Sequence, residues 1–81
     1  MFGARETDGK WHLCVKRGKS IRNINMDTGD TEVEFPTAAK ARECAKELND
    51  KYWTEYSYYM NTHPSYEICE QMKETIEKWM E

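Results

Sequence analysis

No apolar run in this chain is long enough to span a bilayer, and the opening MFGARETDGK lacks the apolar core of a signal peptide. Both absences weigh against membrane insertion and export. The cysteines number three, widely spaced, with no Cys-x-x-Cys pair. An odd set of that kind fits free thiols in a reducing compartment, so a cytoplasmic protein is expected. The four glycines stand apart at 3, 9, 18 and 29, which rules out a glycine-rich phosphate cradle. The only close pair of potential metal ligands is His12-x-Cys14, and two ligands do not close a tetrahedral zinc site. No metal or cofactor is therefore expected. Repeats and linkers are also missing, so the 81 residues make one domain near the lower size limit for an unstapled fold.

What is present is charge and aromatic surface. A third of the residues are charged, yet there are three Trp and five Tyr, too many aromatics for a disordered segment. Residues 1–26 carry six cations against two acids, a net +4; residues 27–81 carry six cations against thirteen acids, a net −7. A basic end and an acidic end on so small a body can orient an encounter with a charged partner.

The chain is organised around residues 35–60. After Phe35 and a turn at Pro36-Thr37, Ala41, Ala45, Leu48, Tyr52, Tyr56 and Tyr59 recur at helical spacing. Thr37 is the expected N-cap of a helix over 37–60. Upstream, Trp11, Leu13 and Val15 alternate with His12, Cys14 and Lys16, the pattern of a half-buried strand. A two-residue loop at Gly18-Lys19 would pair Arg17 with Ser20, Val15 with Arg22 and Leu13 with Ile24. A second turn at Asp27–Asp30 would then pair Ile24 with Val33 and Arg22 with Phe35. That meander over 10–35 has one apolar face. The other would expose His12, Cys14, Lys16, Asn23, Asn25, Glu32 and Glu34. Cys69, Met72, Ile76 and Trp79 mark a second helix over 64–81, antiparallel to the first, with Glu74 and Lys78 as an i,i+4 pair. Residues 1–9 show no periodicity and read as a flexible end. The expected fold is α+β, a three-stranded antiparallel meander on a long helix followed by a second helix (β-β-β-α-α).

For catalysis, His12 and Cys14 point the same way, but no third group is placed to orient the imidazole and no deep pocket is evident. Catalytic residues are not expected, and the chain is read as a non-enzyme. Gly9-Lys10-Trp11, the Arg17-Gly18-Lys19 turn, and Phe35-x-Thr37 opening an Ala-rich helix resemble the AP2-like DNA-binding domains. These include the arm-type domains of integrases; the resemblance covers residues 9–48. It implies that the exposed sheet face enters the major groove and that His12, Lys16, Arg17, Lys19, Asn23 and Asn25 contact DNA. Carboxylates at Glu32 and Glu34 on that face, with an acidic whole, oppose the counterion release that drives such binding.

The favoured expectation is a small inhibitory or binding protein that occupies a charged surface of a larger protein, such as a nucleic-acid-processing enzyme. Phage and mobile-element accessory proteins, anti-CRISPR inhibitors among them, are of this size and charge but share no motif. Two sets of side chains would carry contact: Glu67, Glu70, Glu74 and Glu77 on the last helix, and Trp53, Tyr58 and Met60 near the end of the first. Dimerisation through the helices is a further expectation.

Overall fold

A computed structural model describes residues 1–24, 32–62 and 70–81, with side chains except those of 59–62, 70 and 71. In chain order the elements are β1 (Phe2–Thr7), β2 (Lys10–Arg17), β3 (Ser20–Asn23), β4 (Glu34–Phe35), α1 (Ala38–Thr62) and α2 (Glu70–Met80). All strand pairs are antiparallel, in the order β1-β2-β3, with β4 also paired to β2. The α+β class and the sequence of strands then two helices are as expected. The make-up of the sheet differs in two places.

The first difference is β1. Residues 2–7, expected to be a flexible end, pair along β2 from Phe2↔Val15 to Thr7↔Lys10. The loop that joins them is Asp8-Gly9, with φ of 53° and 78°. Two left-handed residues in a two-residue loop are the signature of a type I′ hairpin, whose twist matches that of the strands. The next hairpin follows the sequence reading: Arg17↔Ser20 and Val15↔Arg22 pair across Gly18, whose φ is 59°.

The second difference is the expected third strand. Phe35 pairs with Trp11 and Glu34 with His12, so Arg22 does not face Phe35. Leu13 is the crossover point: it accepts from Ile24 N at 2.9 Å and donates to Val33 O at 3.3 Å, while Val33 N donates to Ile24 O at 3.0 Å. β4 thus continues along the same side of β2 that β3 has just left. Beside Trp11, the Phe35 ring lies in the core (5% exposed). Beside Arg22 it would have sat at the exposed end of the hairpin. The Asp27–Asp30 turn lies outside the described residues.

Phe2, Leu13, Val15, Ile24, Val33 and Phe35 face the helices, and Ala41, Cys44, Ala45, Leu48, Tyr56, Met72 and Ile76 meet them. Small residues at 41 and 45 let α1 lie close on the sheet. Its N-terminus is capped as the sequence indicates, Lys40 N donating to Thr37 Oγ1 at 3.2 Å. α2 runs antiparallel to α1: Lys40 Nζ donates to the Glu81 carbonyl at one end, and Lys78 Nζ reaches Glu47 Oε1 at 3.0 Å further along. Lys78 therefore pairs across the helices rather than with Glu74. The aromatic part of α1 is covered from an unexpected side. Phe2 of β1 meets Trp53 edge-on at 5.4 Å between ring centroids and Tyr56 at 4.9 Å. Asn49 fixes that contact, accepting from Phe2 N at 2.8 Å and donating to Phe2 O at 3.0 Å.

Candidate functional site

Because β2 is central, its alternate residues head cross-strand rows on the sheet face turned away from the helices. The register gives the rows Met1–Lys16–Ile21, Gly3–Cys14–Asn23 and Arg5–His12–Glu34. This is the face expected to be open to solvent, and two of its residues are not. His12 is 4% exposed and Cys14 6%. β1 is the reason: it places Arg5 beside His12, with Glu34 on the other flank, and Glu32 approaches from β4's side. Glu32 Oε2 lies 3.3 Å from His12 Nδ1 and accepts from Asn23 Nδ2 at 3.0 Å. The His12 approach is short enough for an ion pair when the ring is protonated, but it is not aligned as a hydrogen bond, and Nδ1 has no such partner. Arg5 Nε and Asn23 Oδ1 are likewise buried without hydrogen-bond partners. Glu34 reaches Lys10 at 3.7 Å. The acids of this face thus gather at one end, on His12, Asn23 and Lys10. Lys16, Arg17 and Lys19 are exposed at the other.

The DNA-contact set divides accordingly. Lys16, Arg17 and Lys19 are on the surface, His12 is buried, and Asn23 is engaged by Glu32. Asn25 lies outside the described residues. His12 and Cys14 share a face as expected, but burial pushes the Cys14 thiol up, so it stays protonated and a poor nucleophile.

On α2, Glu74 and Glu77 are exposed and have no ion-pair partner among the described residues. Lys78, the cation that i,i+4 spacing would give Glu74, is held by Glu47. Glu47 also accepts from the Trp79 indole at 3.3 Å and lies 3.5 Å from Lys51. Glu67 lies outside the described residues, as does the Glu70 side chain. On α1 Glu43, Asp50 and Glu55 are exposed, interleaved with exposed Arg42, Lys46 and Lys51. Of the aromatic set, Tyr58 is 74% exposed, whereas Trp53 is half-buried against Phe2. Met60's side chain is outside the description. Trp53 thus serves mainly the core.

Sequence reasoning missed the groove over the middle row. Gly3 has no side chain there and Cys14 is small, so a concavity of about 550 Å³ opens between the flanking rows. Among the described residues no three His, Cys, Asp or Glu side chains gather as a metal site, and no helix is long and apolar enough to cross a membrane. Compared with protein-family models, with curated proteins and with solved structures, the chain matches none.

Proposed function

We propose that this chain is a non-enzymatic binding protein that docks its acidic helical side onto a cationic surface of a larger protein, blocking what that surface normally holds. The observation that carries this reading is the pairing of Lys78 with Glu47 across the helices. It commits the i,i+4 cation of Glu74 to the other helix and leaves Glu74 and Glu77 exposed, with no ion-pair partner among the described residues. Carboxylates so displayed can take the positions of nucleic-acid phosphates on an enzyme that binds them, and an anti-CRISPR-type inhibitor would work in this way. The helix is anchored by Met72 and Ile76 in the core, so charge changes on its outer side leave packing untouched.

The test is charge reversal. Glu74→Lys with Glu77→Lys should abolish capture of the partner from lysate of the native host while shifting the melting temperature by no more than a few degrees. Retention of the partner by the reversed variant refutes the acidic-side reading.

The cluster Lys16, Arg17 and Lys19 supports a second reading, a duplex-binding module. It predicts a gel shift that weakens steeply between low and moderate salt and disappears in Lys16→Ala/Arg17→Ala. Burial of His12 and the Glu32–Asn23 bond withdraw two of the side chains that such a module would need.

A further inference from the structure

The groove on the outer sheet face is separate from the acidic helical side and unrelated to the proposed docking. Its floor is Gly3 and Cys14, its walls are Met1 and Ile21 with the Lys16 stem, and Arg5 closes the far side. Met1 and Ile21 are 59% and 44% exposed and give the walls an apolar surface. The floor is uncharged, since burial keeps Cys14 a thiol. Arg5 adds an independent observation: it is half-buried and lines the groove, and no carboxylate is paired to its guanidinium among the described residues. The natural complement of a cation without a counter-charge at the side of an apolar groove is an anionic oxygen.

We propose that this groove binds a small anionic amphiphile, a carboxylate carried on an aliphatic tail. The carboxylate is received by Arg5, and the tail crosses Gly3 and Cys14 toward Met1, the Lys16 stem and Ile21. The volume falls within the ~300–1,000 Å³ of small-ligand sites. A tail suits the groove better than a peptide. An extended peptide brings backbone N–H and C=O groups that need partners, and the groove lies over the face of β1, β2 and β3, whose backbone groups beneath it pair with one another. At Phe2 the edge of β1 is already taken by Asn49.

The experiment is an NMR titration of the full chain with decanoate, and with decan-1-ol as the uncharged comparison. Saturable shifts should centre on the amides of Gly3, Arg5, Cys14, Lys16 and Ile21. Gly3→Val fills the floor without backbone strain, because a Cβ there meets only Cys14 Sγ at 3.5 Å. It should remove binding of both compounds while the melting curve is retained. Arg5→Gln should weaken decanoate about ten-fold and leave decan-1-ol unchanged. The proposal is overturned by non-saturating shifts, by shifts centred on α1 or α2, or by decanoate affinity indifferent to both substitutions. It is equally overturned if an acidic peptide binds the groove and decanoate does not. Glu74→Lys/Glu77→Lys should bind decanoate as the parent does, so failure here and failure of the docking reading are told apart.

Discussion

Asparagine is a poor residue for the middle of a helix, because its amide competes for backbone groups. At Asn49 that competition is turned on another element: both amide atoms grip the backbone of Phe2 at the sheet edge. Asn49→Ala would leave a part-buried N–H and C=O without partners. We expect it to cost about 2–3 kcal/mol by urea unfolding; a loss below about 0.5 kcal/mol would mean that solvent satisfies Phe2 equally well. Glu47 is the other residue that joins elements. The hydrogen bond from Lys78 is the main cause that holds its carboxyl below the ordinary 4.5; partial burial opposes it, and Trp79 and Lys51 add to the lowering. A lowered folded-state value means stability that is full above the unfolded value and lost as pH falls through the folded one. Glu47→Gln should therefore melt below the parent at neutral pH, and the gap should close below about pH 4.5. A gap that persists unchanged at pH 3 contradicts the linkage. Cys44, fully buried between α1 and α2 with its thiol pushed up to about 12, should resist alkylation at pH 8 until the chain unfolds. Mass-spectrometric mapping of labelled thiols reads this directly, and labelling of Cys44 in the folded chain would contradict it.

At the scale of elements, what could be read from the sequence was what depends on local pattern. Thr37 caps α1, the Gly18 hairpin sets the β2–β3 register, and the stripes Ala41–Ala45–Leu48–Tyr56 and Met72–Ile76 are buried. Thr37→Ala should cost about 1 kcal/mol, chiefly through loss of that cap; no change on thermal melting would place the start of the helix elsewhere. β1 was missed although Asp8-Gly9 is among the strongest short hairpin signals. Its flanking residues hide the alternation, since Gly3 and Ala4 are too small to mark a face. β4 was misplaced for a different reason. Pairing on β2 rather than on β3 is decided by where Phe35 finds a buried neighbour, a tertiary preference that turn counting does not contain. The same missing strand explains the misjudged face. Without Arg5 and Gly3 beside them, His12 and Cys14 look solvent-exposed, and the groove has no second wall.

Across the whole molecule, the hairpin end of the sheet is basic and the helices are mixed. Lys16, Arg17, Lys19 and Arg22 are exposed at the hairpin end, while on the helices Glu43, Asp50, Glu55, Glu74 and Glu77 are exposed beside Arg42, Lys46, Lys51 and Lys78. The basic hairpin was legible in the count for residues 1–26. The loss of Glu74's i,i+4 partner was not, because it depends on Lys78 crossing to Glu47, where the spacing suggests a local pair. Tyr58 is 74% exposed near the end of α1. Tyr58→Ala should leave the melting temperature within about a degree, as exposed substitutions do; a larger drop would mean that the ring packs where the structure shows solvent. The most direct measurement sets two charge variants side by side in one partner-capture assay: Glu74→Lys/Glu77→Lys on the helices and Lys16→Ala/Arg17→Ala on the sheet. The helix variant should lose the partner and the sheet variant should keep it. The reverse result, partner lost only when the sheet cations are removed, would contradict docking through α2.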